Sequence, residues 1–198
     1  MNALTLYESI RPTIRTGDAI LWQSNSIVGK IIQTFCHSPY NHVALVMRAT
    51  QDGEERMLIL EALENGIVPN SLSYRLSDQK GHAWLFPLHP DFDQIRPRMG
   101  SWAWKKVGTK YDFKGLFKNI LGRVSSDARR MFCSEYWWLA LKDSIQNTAI
   151  KSISRYNVID SYQIYKEACK SLNNKAPRPS DFPRLQRCGI FGPEARIL

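Results

Sequence analysis

Two runs of β-forming residues in the middle of the chain constrain its fold more than any other feature. Residues 41–47 are rich in aliphatic side chains, and residues 57–62 repeat this composition after the turn signal Asp52-Gly53. Two such runs joined by a polar connection predict an antiparallel hairpin. Because helical patterns lie before and after the strands, we predict an α+β fold: a small antiparallel sheet packed by helices.

Shorter patterns surround this hairpin. Further strands are predicted at residues 19–22, 66–69 and 82–88, and helices at residues 27–35, 96–107, 116–121 and 158–172, with one more that starts at Cys133. The chain shows no internal repeat and no low-complexity tract. A length of 198 residues suits one domain, so we expect residues 1–198 to form a single domain.

The composition excludes several protein classes. Hydrophobic residues make up 43% of the chain and charged residues 23%, which are globular rather than disordered or fibrous values. No stretch approaches the ~20 apolar residues of a membrane-spanning helix. Residues 1–10 lack the basic start and apolar core of a secretory signal, so we expect synthesis in the cytoplasm without a signal peptide. The four cysteines show no paired spacing and are expected to be free thiols.

The charge of the chain favours an anionic partner. The formal net charge is +9, which suits an acidic polymer or an acidic membrane surface. The basic residues match no nucleic-acid-binding motif, so we expect no specific nucleic acid.

Cys133 is the first candidate for chemistry. It precedes an apolar run, residues 136–141, that predicts the start of a buried helix. Backbone N–H groups at a helix start have no intrahelical partner and lower the pKa of a nearby thiol. The thiolate is the form that attacks an acyl carbon. A cysteine in this position also suits a small buried hydrophobe, and position alone does not separate the two interpretations.

His42 and Glu61 are the candidate partners of this thiol. His42 opens the clearest strand, whereas Glu61 lies in an otherwise apolar strand, where an unpaired buried charge costs several kcal/mol. An imidazole on the neighbouring strand would offset that cost, and the carboxylate would fix the imidazole tautomer. We therefore predict Cys133 as nucleophile, His42 as base and Glu61 as the residue that orients the base.

Five segments together resemble the NlpC-type papain-like cysteine hydrolases. The resemblance is closer to the circularly permuted branch, which includes YiiX-like proteins and lecithin retinol acyltransferase, because the His strand precedes the Cys helix. The segments are residues 15–21, 38–45, 60–62, 111–112 and 132–135.

The resemblance implies a papain-like fold in permuted order and a peptidase or amidase activity. It carries over Cys133 as nucleophile, His42 as base and Glu61 as the third polar position. It also implies that Tyr111 helps to line the oxyanion site and that Asp18 belongs to a structural turn. No cofactor or metal is implied. The commonest implied substrate is a peptide cross-link of the bacterial cell wall, which an enzyme without a signal peptide would reach in the periplasm only by a signal-independent route.

Three alternatives remain open at this stage. A thiol acyltransferase or a lipid acyl hydrolase would use the same three residues, with a different acceptor or acyl substrate. A zinc site could draw on Cys36, His37, His42 and Cys133, although the spacing matches no usual ligand pattern. A non-catalytic module could bind an anionic polymer or membrane through a basic aromatic surface, made of Trp102, Trp104, Lys105, Lys106, Trp137 and Trp138.

Overall fold

The helices and strands of the chain are given by a computed structural model that describes residues 3–24, 38–63, 66–78, 81–109, 128–151 and 156–198. The helices are α1 (Ala3–Ile10), α2 (Leu72–Asp78), α3 (Arg96–Trp104), α4 (Ala128–Lys151), α5 (Tyr156–Ser171) and α6 (Phe182–Arg187). The strands are β1 (Ala19–Ser24), β2 (His42–Gln51), β3 (Glu54–Leu63), β4 (Gly66–Ser71), β5 (Gly81–Phe86) and β6 (Ala195–Arg196). Short 3-10 turns cover Arg11–Thr13, Pro90–Ile95 and Pro179–Asp181.

The described strands form an antiparallel sheet in the order β4-β3-β2-β1-β5-β6. The predicted hairpin is confirmed, since β2 and β3 pair on either side of a two-residue turn at Asp52 and Gly53. Both turn residues have positive φ, 54° and 77°, as the tight turn of a twisted hairpin requires. The pairing runs from Gln51–Glu54 to Leu45–Leu60 and ends there.

Each face of the sheet buries its own core because successive side chains of a strand point to opposite sides. Val43, Leu45 and Leu60 face a core completed by residues of α3, α4, α5 and α6. Ala44 and Ile59 face a second core, which α1 and α2 cover. The predicted α+β class is therefore confirmed. Alternate residues of β2 contribute to the two cores, and β2, which begins at His42, precedes α4, which carries Cys133, as in the permuted order.

The strands from β1 to β5 and two helices lie close to their predicted positions, whereas the start of α4 and the tail differ, and α1 and α2 were not predicted. α3 starts at Arg96 as predicted. Its second residue is Pro97, which fits there because an N–H in the first turn of a helix has no acceptor within the helix, so none is lost. The helix that was predicted to start at Cys133 begins five residues earlier, at Ala128. The tail contains α6 and β6, which the sequence patterns did not predict. The predicted helices 27–35 and 116–121 lie outside the described residues.

Asp18 belongs to a structural turn, as predicted, and this turn anchors the start of β1. The carboxylate of Asp18 is fully buried and accepts hydrogen bonds from Arg96 at 2.7 Å and from the backbone N–H groups of Leu88 and Arg15. Burial raises the pKa of Asp18, and the charge of Arg96 opposes this rise. The contacts tie the turn to α3 and to the end of β5.

Among the described helices, none combines the length and the apolar character needed to cross a membrane.

Candidate active site

His42 and Glu61 meet across two neighbouring strands. The register of β2 and β3 places Glu61 diagonally across from His42 on the same face of the sheet, and such diagonal neighbours are within reach of long side chains. His42 Nε2 lies 3.0 Å from Glu61 Oε1. This contact leaves Nδ1 as the ring nitrogen that is available to another group. The predicted pairing of these two side chains is therefore present.

Glu61 is completely buried but is surrounded by hydrogen-bond donors. Its side chain has 0% exposure. Asn70 Nδ2 donates to its Oε2 at 2.8 Å, and the Arg75 guanidinium donates to Oε2 at 3.1 Å and to Oε1 at 3.3 Å. Burial by itself would raise the pKa of Glu61, but the hydrogen bond and charge of His42, followed by Arg75 and Asn70, lower it to about 2. Glu61 is therefore an ionised carboxylate over the whole physiological pH range.

Cys133 reaches the same histidine from α4, which packs against β2 and β3. The sulfur is within hydrogen-bond reach of the His42 ring and of the backbone N–H groups of Val43 and Ser134. The Val43 N–H is free for this contact because the pairing of β2 with β3 ends at Leu45. Burial would raise the pKa of the Cys133 thiol, whereas the charge and hydrogen bond of His42, and then the two N–H groups, lower it.

His42 has the protonation state that matches this thiolate. Burial alone would lower the pKa of His42, but the charge and hydrogen bond of Cys133, followed by those of Glu61, raise it to about 10. The contact thus favours an imidazolium next to a thiolate, because each charge shifts the pKa of the other group towards the ionised form, and the histidine side chain keeps 21% of its surface exposed.

The position of Cys133 in α4 corrects one part of the sequence interpretation. Only the first four N–H groups of a helix lack an intrahelical partner, and Cys133 is the sixth residue of α4. In a regular helix its N–H is directed to the carbonyl of Arg129. The pKa of the thiol is therefore lowered by His42 and by the N–H groups of Val43 and Ser134 rather than by a free helix start. The prediction failed because the polar residues before Cys133 include good helix formers, and nothing local ends the helix at Cys133.

Three hydrogen bonds hold α4 in place around Cys133. Trp137 Nε1 donates to the Gly17 carbonyl at 3.0 Å, Tyr136 Oη donates to the Ala103 carbonyl at 2.8 Å, and Ser134 Oγ donates to the Pro177 carbonyl at 2.6 Å. Their partners lie in the turn before β1, in α3 and in the chain after α5. The helix is thus fixed from three directions, which sets the position of the sulfur relative to His42.

Asn70 and Arg75 are the site residues that sequence reasoning missed. Both contact Glu61 only because β4 pairs with β3 and leads directly into α2. The available signal was Glu61 itself, since a buried carboxylate requires donors beyond one histidine. Tyr111, the predicted oxyanion residue, lies outside the described residues.

The zinc alternative gains no support from the described part of the chain. Cys36 and His37 lie outside that part, and within it no three His, Cys, Asp or Glu side chains form a cluster suited to a metal. The guanidinium of Arg75 also contacts both oxygens of Glu61, where it would repel a cation. Within the described residues, the side chains around Glu61 therefore do not fit a metal ion.

The basic aromatic surface considered above is only partly present. Trp137 and Trp138 are buried in the core, with 0% and 5% exposure. Trp104 is 45% exposed, and Lys106 lies over the ring of Trp102 at 5.4 Å. This leaves a smaller surface at the end of α3.

The comparisons with known proteins identify the family. A model of the family described as "permuted papain-like amidase enzyme, YaeF/YiiX, C92 family" matches residues 13–178. A solved structure, described as the metalloprotein yiiX from Escherichia coli O157:H7, has 22% sequence identity and a TM-score of 0.48, with 67% of each chain covered. No curated protein matches the chain. The family match spans most of the chain and includes all three candidate residues, so the chain belongs to the permuted papain-like amidases and is a papain-like cysteine hydrolase of the amidase and peptidase class.

Proposed function

We propose that this enzyme hydrolyses an amide bond in a cell-wall peptide, with Cys133 as nucleophile, His42 as acid and base, and Glu61 as the group that orients His42. The observation that carries the proposal is the continuous contact from the Cys133 sulfur through the His42 ring to the buried Glu61 carboxylate. A nucleophile, a base and an orienting carboxylate in this order are the parts that acyl transfer needs.

The mechanism follows from the protonation states. The Cys133 thiolate attacks the amide carbon, and the carbonyl electron pair moves to oxygen in a tetrahedral intermediate. His42 gives its proton to the leaving nitrogen as the C–N bond breaks, so an amine leaves and a thioester remains on Cys133. Neutral His42 then accepts a proton from water, and the resulting hydroxide attacks the thioester. A carboxylic acid leaves, and the thiolate and imidazolium are restored.

Glu61 acts through His42 in both halves of this cycle. Its hydrogen bond to Nε2 keeps the ring turned so that Nδ1 faces the sulfur. Its negative charge stabilises the imidazolium before the attack and again after hydrolysis. That Tyr111 helps to line the oxyanion site stays a prediction.

Cationic side chains on segments that contact α4 support an anionic polymer as the substrate. Ser134, next to Cys133, donates to the Pro177 carbonyl, and the neighbouring side chains of Lys175 and Arg178 are exposed. On another side of α4, Tyr136 packs against Trp102 at 5.8 Å between ring centroids, and Lys106 lies over that tryptophan. A cationic surround of this kind attracts the carboxylates of cell-wall peptides. Delivery to the periplasm by a signal-independent route stays a prediction.

The test is mass spectrometry of products from a panel of cell-wall peptide fragments and phospholipids. We expect cleavage of an amide in the cell-wall fragments and a trapped acyl group on Cys133. The variant Cys133→Ala should lose at least about 10³-fold in kcat/KM, whereas the control Cys169→Ala should keep the wild-type rate.

Each alternative has its own outcome in this panel. Release of fatty acid from phospholipid, with intact wall peptides, would establish the lipid acyl hydrolase instead. Transfer of the acyl group to an added alcohol or amine in preference to water would establish the acyltransferase. Unchanged turnover in a folded Cys133→Ala variant would refute the nucleophile.

A further inference from the structure

We propose that Arg75 is a positioning residue of this site, which fixes the Glu61 carboxylate and supplies the positive charge that balances the buried anions. Cys133, His42, Glu61 and Arg75 then form a row of alternating charges, here called the charged row. The proposal rests on the proposed function, because it assumes that the Cys133 thiolate is the reacting group.

The geometry of Arg75 is specific for Glu61. Its Nε and one terminal nitrogen reach different oxygens of the carboxylate, at 3.1 Å and 3.3 Å, so the contact is bidentate. A bidentate guanidinium fixes both the position and the plane of a carboxylate. The guanidinium also lies over the Trp22 ring, 5.6 Å from its centroid, and Trp22 is the β1 residue directly opposite His42. Arg75 is thus held between Glu61 and a residue that neighbours the histidine.

Arg75 cannot be replaced by solvent in this role. The Glu61 side chain has no exposed surface, and the Arg75 side chain is only 23% exposed. Asn70 donates to one oxygen of Glu61 but carries no charge. In the part of the chain that the structure describes, Arg75 is therefore the permanently charged cation that pairs with Glu61.

The charge balance of the row explains what Arg75 contributes. With the thiolate, the imidazolium and the carboxylate ionised, three of its members sum to one negative charge, and Arg75 brings the sum to zero. A buried net charge is costly, so a site without Arg75 would bind a proton more readily. Among the side chains that the structure describes in α1, in α2 and in α4 from Cys133 to Tyr136, the other acidic residues make no ion pair with the row; they are Glu8, Asp78 and Glu135.

The expected consequence is a shift in the pH at which the thiolate forms. Replacing Arg75 by neutral Met keeps a side chain that can pack on Trp22 but removes the charge. The acid limb, which is the pH range over which the Cys133 thiol loses its proton as the pH rises, should then move upward by about one pH unit. A shift of this size is expected for the loss of one nearby charge in a partly buried site. Arg75→Lys keeps the charge and loses the bidentate contact, so its acid limb should stay near that of wild type while kcat falls.

The experiment measures the ultraviolet absorbance of the thiolate against pH, as the difference between each protein and the same protein with Cys133→Ala. Arg98→Met is the matched control, because Arg98 forms a half-exposed ion pair with Asp143 at 3.1 Å, outside the charged row. Arg75→Gln serves as a second neutral variant if Arg75→Met does not fold. This readout needs no substrate, so it is independent of which bond the enzyme cleaves.

The outcomes separate this inference from the proposed function. An upward shift in the neutral variants, with Arg75→Lys and Arg98→Met unshifted, supports the role of Arg75. If the acid limb of Arg75→Met or Arg75→Gln coincides with that of Arg98→Met, the inference is overturned. This holds even if activity or stability is lost, because Arg75 would then have only a structural role. A normal thiol pKa for Cys133 in the wild-type protein would overturn the thiolate and the charged row together. Absence of cleavage in the substrate panel, with the shift present, would contradict only the proposed function.

Discussion

Replacing Glu61 by glutamine tests the site most directly, because this carboxylate is the most buried ionised group of the triad. Glu61 accepts four hydrogen bonds: one from His42, one from Asn70 and two from Arg75. The amide of glutamine keeps one acceptor oxygen, but its NH₂ group would face donors. The variant therefore places donor against donor and leaves the half-buried guanidinium of Arg75 without an anion.

The size of the effect follows from the pKa of Glu61, which falls from 4.5 to about 2 on folding. Each pKa unit corresponds to about 1.36 kcal/mol, so the folded state favours ionised Glu61 by roughly 3 kcal/mol. This agrees with the cost of about 3–5 kcal/mol for removing one partner of a buried ion pair. We therefore expect Glu61→Gln to lower the free energy of unfolding by about 3 kcal/mol at pH 7. Loss of the orienting carboxylate should also reduce kcat by about 10²–10⁴-fold.

Urea unfolding and the kinetics of the same preparations give the two measurements. Glu55→Gln is the matched control, since Glu55 lies on the same strand but pairs with Arg48 at the surface, with 45% of its side chain exposed. The control should lose less than about 1 kcal/mol and keep its kcat. If Glu61→Gln were as stable and as active as Glu55→Gln, the buried carboxylate would be neither ionised nor coupled to His42, and the reasoning would be wrong.

The remaining predictions concern pH and the turn before β1. The raised pKa of His42 stabilises the folded state fully below pH 6.5 and stops doing so as the pH rises through about 10. Activity should fall over the same alkaline range, because His42 then has no proton for the leaving group; a pH profile of kcat without an alkaline limb would contradict this. For Glu61 the sign is opposite, so its contribution is complete above pH 4.5 and is lost as the pH falls towards 2. Asp18→Asn should cost about 2–4 kcal/mol in urea unfolding, because Arg96 loses a buried anion, while kcat per folded molecule stays unchanged. A reduced kcat in folded Asp18→Asn would mean that this turn also shapes the site.

Much of the fold could be predicted because its signals are local. The hairpin of β2 and β3 follows from two β-forming runs and from a turn whose residues tolerate positive φ. The start of α3 follows from Pro97, which suits the first turn of a helix. β6 could not be predicted, since two residues carry no periodicity and the strand exists only because β5 offers it an open edge. The start of α4 at Ala128 was missed for the reason given above: no residue in that stretch ends a helix.

The sequence by itself determined which side chains are candidates for the chemistry: a thiol before an apolar run, an imidazole at a strand start and a carboxylate in an apolar strand. Residue type and local pattern suffice for that, and the resemblance places all three in one family. Only the tertiary structure decided how the thiol is activated, since the end of the β2–β3 pairing frees the Val43 N–H for the sulfur. It also decided that Arg75 pairs with Glu61, because that contact depends on how β4 and α2 return across the sheet. Contacts between residues far apart in sequence leave no periodic trace in the chain, and electrostatic balance in a buried site depends on those contacts.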